Sequence, residues 1–288
     1  MESDNTLTVT MKIIAESSST RTEWSLVDGD RIVEHAFTTG LNPYFQSRRE
    51  ISHSIRLELP EAFFRRRWDH VYFYGAGCAT TEKCKIIESS LVAQFKTPVT
   101  VQSDLLGAAR GLLVREPGLA CIIGTGSNSC FYDGEEIIKN VSPLGFILGD
   151  EGSGAYMGKI LVADVLKGLA PTALTDEFYE HFNVSHNLLM DDVYTNSLPN
   201  RALARYATFL MQHVHEQYVH DLVYDAFSRF FCRNIIAYDY KSYPINFVGS
   251  VAVNFRDILT RAANDFGAAV GKVIRYSMPG LIEFHKND

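Results

Sequence analysis

Two stretches of this sequence share one pattern of elements. Residues 11–37 read MKIIAESSSTRTEWSLVDGDRIVEHAF, and residues 120–141 read ACIIGTGSNSCFYDGEEIIKNV. Each has an apolar run ending in Ile-Ile, a loop of small and hydroxylated residues, a second β-rich run, Asp-Gly, and a third run. Asp-Gly between β-rich runs is typical of a hairpin, so we interpret Asp28-Gly29 and Asp133-Gly134 as equivalent turns. The repetition predicts duplicated domains; the alternative is a chance likeness of two three-stranded meanders.

Beyond each meander the sequence alternates between helix and strand patterns. The predicted helices and strands are 46–58 (helix), 70–74 (strand), 81–95 (helix), 99–102 (strand), 105–114 (helix), 154–168 (helix), several helices over 172–240, 245–248 (strand), 255–266 (helix) and 273–276 (strand). This alternation predicts the α/β class. The Pro-Gly turn within Arg115–Gly118 marks a domain boundary. We therefore expect an N-terminal domain over 1–116, with 1–10 as an extension, and a C-terminal domain over 117–288, whose last helix packs on the first domain.

The composition narrows the class of protein. The chain has 288 residues, of which 46% are hydrophobic and 21% charged, as is ordinary for a folded protein. Its net charge of −7 argues against a nucleic-acid partner. The sequence contains no apolar run of membrane-spanning length and no secretory signal, so we expect a cytoplasmic protein without a membrane partner. Its five cysteines form no C-x-x-C pair, which argues against a disulfide framework or a zinc ribbon.

The loops after the two Ile-Ile strands are candidate phosphate sites. The loop from Gly124 to Asn128 has two glycines, which let backbone N–H groups approach a ligand; taken alone, it is equally a tight turn. The loop from Glu16 to Arg21 offers four hydroxyls and one cation, which suit phosphate; taken alone, it is a serine-rich surface turn.

Two acidic positions stand where helices begin. Asp150 and Glu151 lie in the glycine-rich start of a predicted helix, where they suit either helix capping or contact with a polar substrate or a hydrated Mg²⁺. Asp104 follows a predicted strand, where it is either a first-turn carboxylate of the next helix or a general base in a cleft.

Seven segments together carry a resemblance to a known family. They are IIAESSSTRTEW, GLNPYF, VYFYGAGC, SDLLGAARGL, CIIGTGSNSC, LGFILGDEGSGAYMGK and NFVGSVAVNF. In order and spacing they resemble the BadF/BadG/BcrA/BcrD-type ATPases, and most closely the N-acetylglucosamine kinase-like branch of the superfamily of actin, heat-shock chaperones and sugar kinases. The resemblance runs from Met11 to His285. It implies two actin-like (ribonuclease H-like) domains, each a mixed sheet with flanking helices, with a cleft between them.

The resemblance also implies roles for residues. Asp104 corresponds to the catalytic base, and Glu16 to the residue that holds a metal ion through water. The implied cofactor-binding residues are Glu16, Ser17, Ser18, Ser19, Thr20, Arg21, Gly124, Thr125, Gly126, Gly249 and Ser250. The implied substrate-binding residues are Asn42, Asp104, Ser127, Asn128, Gly145 and Asp150.

The function that the resemblance implies is phosphorylation of the primary hydroxyl of an amino sugar. ATP and Mg²⁺ are the expected cofactors, the sugar is the expected small-molecule partner, and a homodimer is the assembly to expect. N-acetylglucosamine is the first candidate; glucosamine, muramic acid and N-acetylmannosamine stay open.

The first loop departs from the family pattern. Glu16 stands in place of Asp, Ser18 in place of Gly, and Arg21 in place of Lys. The alternative is therefore a catalytically impaired sugar- or nucleotide-binding protein of this fold, a sensor or pseudokinase. An activator ATPase with a cysteine-bound iron–sulfur cluster is a further alternative, but the surroundings of Cys78 and Cys84 do not match it.

Overall fold

The computed structural model describes residues 11–18 and 20–288, which form two compact units. One unit consists of the described residues up to Arg115 together with Ser277–Asp288, and the other is Glu116–Tyr276. The predicted extension, residues 1–10, lies outside the described residues. Within those residues no helix is long and apolar enough to cross a membrane.

Ten strands and twelve α-helices make up the described chain. The strands are β1 Met11–Ser17, β2 Arg21–Asp28, β3 Arg31–Thr39, β4 His70–Gly75, β5 Val99–Ser103, β6 Gly118–Ile123, β7 Ser127–Tyr132, β8 Ile137–Val141, β9 Ile245–Val248 and β10 Val270–Ile274. The helices are α1 Arg48–Glu58, α2 Thr81–Phe95, α3 Asp104–Leu113, α4 Gly145–Leu148, α5 Gly154–Lys167, α6 Thr172–Phe182, α7 His186–Tyr194, α8 Pro199–Gln212, α9 Gln217–Arg233, α10 Ser250–Asn254, α11 Arg256–Phe266 and α12 Met278–Phe284. Two short 3-10 helices occupy Glu61–Phe64 and Ile235–Ala237.

The first unit is built on a five-stranded sheet in the order β3-β2-β1-β4-β5. β1 pairs antiparallel with β2 and parallel with β4, so the sheet is mixed. Because β1 is a central strand, its residues from Lys12 to Ala15 are buried on both faces of the sheet. Ile13 and Ala15 join the core with Trp24 and Phe73.

The second unit repeats this topology. Its sheet has the order β10-β9-β6-β7-β8, in which β6 pairs antiparallel with β7 and parallel with β9. Aromatic side chains fill the core beneath it: Phe178, Phe209, Phe227, Phe230 and Phe231. Two mixed sheets of the same strand order, each with flanking helices, confirm the predicted fold class.

The two Asp-Gly turns occupy equivalent places, each between the second and third strands of its meander, but they differ in length. In the first, Asp28 pairs directly with Arg31, and two residues make the turn. In the second, the turn lengthens because the Asp133 carboxylate accepts hydrogen bonds of 2.8 Å from the N–H groups of Glu135 and Glu136. The last strand is also displaced from the prediction, at Val270–Ile274 instead of 273–276.

Polar side chains define where the helices next to the candidate site begin. The Ser103 hydroxyl caps α3 by accepting from the N–H of Leu106, and the Ser153 hydroxyl caps α5 by accepting from the N–H of Tyr156. Each cap follows a segment that leaves the carboxyl edge of a sheet. Asp104 is therefore the first residue of α3, and Asp150 lies just before the first turn of α5.

Candidate active site

Two acidic residues mark the carboxyl edge of the first sheet. Glu16 is near the end of β1, and Asp104 directly follows β5. Since β1, β4 and β5 run parallel, their carboxyl ends meet at one edge, where α/β folds place ligands. The Asp104 carboxylate is fixed there by a hydrogen bond of 2.9 Å from the N–H of Leu105.

Both carboxyls hold protons more tightly than ordinary acids. Burial raises the pKa of Glu16 to about 7, the charges of Glu23 and Asp104 raise it further, and the hydroxyl of Ser277 opposes the shift. Burial likewise raises the pKa of Asp104 to about 6, opposed by the main-chain N–H of Leu105. A carboxyl with a pKa near 6 is ionised at neutral pH and still accepts a proton readily, which suits a general base.

The same pair fits a hydrated Mg²⁺. Carboxylate oxygens are ligands that Mg²⁺ favours, and a cation beside Glu16 and Asp104 would offset the repulsion between them. Among the described residues, no group of three or more His, Cys, Asp or Glu side chains could hold a metal ion. Mg²⁺ commonly takes one or two carboxylates together with water and phosphate oxygens, so a single carboxylate such as Glu16 suits this ion.

The first loop closes on itself through Ser18. The Ser18 hydroxyl accepts from the N–H groups of Thr20 at 3.3 Å and Arg21 at 3.2 Å, and the Ser18 N–H donates to the Arg21 carbonyl at 2.9 Å. Two N–H groups that could face a phosphate are thus engaged by a side chain. The guanidinium of Arg21 lies 4.2 Å from the centre of the Phe37 ring.

Ser17 has a buried position behind this loop. Its hydroxyl bonds to Thr22 Oγ1 at 2.8 Å and accepts from the N–H of Leu41 at 2.9 Å. The Ser17 side chain therefore ties β1 to the segment that carries Asn42. Ser19, another predicted cofactor-binding residue, lies outside the described residues.

Asn42 is held by hydrogen bonds within its own loop. Its N–H donates to Gln46 Oε1 at 2.8 Å, and its Oδ1 accepts from the N–H of Tyr44 at 2.9 Å. Gly77, after β4, has φ +82°, and a Cβ there would lie 2.4 Å from Asn42 Oδ1. Glycine at position 77 thus lets the Asn42 loop lie directly against the end of β4.

The glycine loop of the second unit connects β6 to β7 and lies against α5. The N–H of Gly124 donates to the carbonyl of Gly126 at 2.9 Å, which makes a tight turn. The N–H groups of Gly154 and Ala155, in the first turn of α5, donate to the carbonyls of Gly124 and Thr125 at 2.9 and 3.0 Å. The loop is therefore held against the start of α5.

Asp150 reaches the same loop from the other side. Its Oδ1 accepts from the N–H of Ser127 at 3.3 Å, and a Cβ on Gly126 would lie 3.2 Å from its Oδ2. Burial raises the pKa of Asp150 to about 6; the Ser127 N–H opposes the shift, Glu151 adds to it, and Lys159 lowers it. This carboxylate is placed to accept hydrogen bonds from the hydroxyls of a ligand.

Gly249 completes this edge of the second sheet. It follows β9 with φ +132°, and a Cβ would lie 2.2 Å from the carbonyl oxygen of Ile123. The backbone therefore crosses the end of β6, next to Gly124, at a distance that only glycine permits. Ser250 follows as the first residue of α10.

Two predicted substrate-binding residues have other surroundings. The Oδ1 of Asn128 accepts from the N–H of Ser129 and from Asn140 Nδ2, both at 2.9 Å, so this side chain lies toward the edge strand β8. Gly145, with φ +75°, begins α4, on the segment that precedes Asp150. Within the second unit, the structure groups the glycine loop, Ser127, Asp150 and Gly249.

Our sequence analysis missed one residue of the site. Ser277, just before α12, donates a short hydrogen bond from its hydroxyl to Glu16 Oε2. The two residues are 261 positions apart. No motif or periodicity near residue 277 predicts this contact, because it depends on α12 returning to the first unit.

Comparison with known proteins supports a family assignment. No family model matches the chain. The fold is shared with a solved protein from Chromobacterium violaceum to which N-acetylglucosamine kinase activity is attributed; the TM-score is 0.70 at 17% identity, over 96% of this chain and 99% of that one.

A second solved structure is much more similar. A Porphyromonas gingivalis protein, to which N-acetylglucosamine kinase activity is also attributed, is 38% identical, with a TM-score of 0.92, over 96% of this chain and 99% of that one. The chain is thus an actin-like ATPase-fold protein of the sugar kinase type. It belongs to the BadF/BadG-type family, in the branch of N-acetylglucosamine kinase-like proteins, as its motifs predicted.

A curated relative matches a shorter segment. A glucosamine kinase of Vibrio cholerae is 37% identical over 89 residues. The match spans 30% of this chain and 30% of that protein.

Proposed function

We propose that this chain is a Mg²⁺-dependent kinase that transfers the γ-phosphoryl group of ATP to the primary hydroxyl of an amino sugar. The observation that carries the proposal is the pair of carboxyls at the edge of the first sheet. Asp104 has the pKa and the fixed position of a general base, and Glu16 lies close enough for the two charges to interact.

The relatives support the choice of substrate class. The activities attributed to the Porphyromonas gingivalis protein and named for the Vibrio cholerae protein both concern amino sugars. N-acetylglucosamine is the first candidate, because the relative named for it is similar over nearly the whole chain. Glucosamine is the second.

The chemical step follows from the position of Asp104. Its carboxylate accepts the proton of the primary hydroxyl while the hydroxyl oxygen bonds to the γ-phosphorus and the bond from that phosphorus to the bridging oxygen of ADP breaks. The products are the sugar phosphate, ADP and a protonated Asp104, which then releases its proton to solvent. General base catalysis of this kind contributes about 10²- to 10⁴-fold to the rate.

Other residues bind and orient the two substrates. In the first unit, Asn42 offers hydrogen bonds to the sugar, and the loop from Ser18 to Arg21 offers hydroxyls and a guanidinium to the phosphates. In the second unit, Asp150 offers hydrogen bonds to the sugar, and the Gly124–Gly126 loop offers backbone N–H groups to the phosphates. Gly249 lets the backbone after β9 lie against the end of β6, and we assign the contact with adenosine to this backbone. Glu16 would hold Mg²⁺ through water, and the ion would neutralise charge on the phosphates.

The first loop supports a second candidate, a sugar- or nucleotide-binding protein without catalysis. Ser18 engages the N–H groups of Thr20 and Arg21, so a phosphate would have to displace its hydroxyl. A sensor or pseudokinase would bind the sugar but not transfer phosphate.

One assay separates the two candidates. Purified protein is incubated with Mg²⁺–ATP and a panel of amino sugars, ADP release is followed, and the product is identified by mass spectrometry. We expect a sugar phosphate from N-acetylglucosamine and a fall in kcat of at least about 100-fold in Asp104→Asn. The matched control is Asp239→Asn, which changes an exposed carboxyl in the second unit. Sugar binding without any product would reject the kinase in favour of the sensor.

A further inference from the structure

Glu16 is restrained by a residue from the far end of the chain. The Ser277 hydroxyl donates to Glu16 Oε2, and the Ser277 main-chain N–H also stabilises the carboxylate. Ser277 is fully buried. Ser277 therefore restrains the orientation of the Glu16 carboxylate.

The position of Ser277 is fixed by close packing between α12 and α3. A Cβ on Gly111 would lie 2.4 Å from the Cβ and 2.7 Å from the carbonyl oxygen of Ser277. A Cβ on Gly280 would lie 1.9 Å from the carbonyl oxygen of Gly111. The backbones of the two helices therefore touch, and this close packing restrains the Ser277 backbone.

This packing links both carboxyls of the candidate site. α3 begins at Asp104, so the helix that carries Asp104 also supports Ser277, which in turn holds Glu16. A glutamate has one more rotatable bond than an aspartate and loses more side-chain freedom when it is fixed. A hydrogen bond from a rigid neighbour reduces that freedom before any ligand binds.

We infer that Ser277 is a positioning residue that aims the Glu16 carboxylate at the hydrated metal ion of the Mg²⁺–ATP substrate. The inference rests on the proposed function and deepens it. Ser277 touches neither substrate; it acts through Glu16, as the outer hydrogen-bond partners of metal ligands do in other proteins.

The test measures metal binding directly. The full chain is titrated with Mn²⁺ as a spectroscopic probe, in the presence of a non-hydrolysable ATP analogue, and free Mn²⁺ is followed by electron paramagnetic resonance. We expect Ser277→Ala to raise the Kd for Mn²⁺ by about 10-fold while the KM for the sugar stays within about twofold. Ser277→Gly serves as a second variant, since it also removes the hydroxyl and introduces no new atom beside Gly111.

A control and a double variant separate positioning from general damage. Ser90→Ala removes another buried hydroxyl of the same unit, one that donates to the Ile86 carbonyl within α2, and should leave the Kd unchanged. In a Glu16→Gln background, Ser277→Ala should raise the Kd no further, because the residue through which it acts is already altered.

The outcomes distinguish this inference from the proposed function. The positioning role is rejected if both Ser277 variants bind Mn²⁺ as tightly as the wild type. It is also rejected if Ser277→Ala raises the Kd for Mn²⁺ by the same factor in the Glu16→Gln background as in the wild type. In either case the kinase proposal stands. If the wild type forms no complex with Mn²⁺ and the analogue, both are rejected.

Discussion

At the scale of single residues, Ser18 is the position where this chain departs most from a phosphate-binding turn. Its hydroxyl accepts from the N–H groups of Thr20 and Arg21, which would otherwise be available to an anion. Its Cβ adds bulk where a backbone approaches phosphate closely. These two effects are separable, because alanine removes the first and glycine removes both.

We predict that Ser18→Gly lowers the KM for ATP by about 2- to 5-fold, because two N–H groups are released and one hydrogen bond is worth about 1 kcal/mol. Steady-state kinetics at saturating sugar measure this. If Ser18→Ala gives the same gain, the hydroxyl is responsible; if only glycine does, the Cβ is. A higher KM in both variants would mean that the Ser18 hydroxyl helps to bind the nucleotide.

The sequence predicts those site residues whose chemistry is local. Asp104 follows a strand and begins a helix, and the glycines of the Gly124–Asn128 loop lie between two strands, so their position at a sheet edge follows from the pattern. Ser277 shows the limit, because a serine before a short helix has no signature and its partner Glu16 is 261 residues away. The sequence pattern also does not predict the hydrogen bonds between the Ser18 hydroxyl and its own loop, because they depend on the backbone geometry.

At the scale of elements, glycine determines which helices can touch. Gly111 and Gly280 allow α3 and α12 to meet in the first unit. In the second, Gly158 allows α5 to meet α8, since a Cβ there would lie 1.9 Å from the Leu203 carbonyl oxygen. In both pairs a side chain larger than hydrogen would push backbone against backbone.

We predict that Gly111→Ala destabilises the first unit, although alanine is more favourable than glycine within a helix by about 1 kcal/mol. The added methyl group meets the Ser277 backbone, and overpacking of this kind costs about 1–3 kcal/mol or more. Hydrogen exchange with mass spectrometry should show faster exchange across α12 in Gly111→Ala. Gly158→Ala is the counterpart and should speed exchange in α5 and α8 instead. Unchanged protection of α12 in Gly111→Ala would contradict the packing described here.

Much of the element pattern follows from sequence. The predicted helix 81–95 and strand 245–248 have the observed bounds, because each is set by local signals: a Thr80 cap, and a short apolar run after Pro244. The sequence pattern predicts β10 too far along the chain, because the alternation of apolar and polar residues in this strand is weak. Its register is set by pairing with β9, and that pairing is irregular between Val270 and Val273. Likewise, the long second hairpin turn depends on how the Asp133 carboxylate bonds.

At the scale of the whole molecule, the candidate site carries a cost in stability. Burial raises the pKa of Glu16 to about 7 and the pKa values of Asp104 and Asp150 to about 6, against about 4 in an unfolded chain. A raised pKa means that folding favours the protonated form. The stabilisation from these groups is therefore complete below about pH 4 and is lost as the pH rises through 6 to 7.

The stabilisation from His285 depends on pH in the opposite direction to that from the three carboxyls. Burial lowers its pKa to about 4, although Asp288 opposes the shift, so folding favours the neutral ring. Its contribution is complete above about pH 6.5 and is lost as the pH falls toward 4. The pH profile of wild-type stability thus combines both trends, and a variant is needed to separate them.

We predict that the triple variant Glu16→Gln, Asp104→Asn, Asp150→Asn melts at about the wild-type temperature at pH 4.5 and about 5 °C above it at pH 8. The neutral amides keep the shape of the side chains, so a difference that grows with pH reports ionisation of the three carboxyls alone, while His285 contributes equally to both proteins. Scanning calorimetry across this pH range measures it. Curves that stay parallel would show that the three carboxyls ionise in the folded protein as readily as in water, which would also remove the reason for regarding Asp104 as a tuned base.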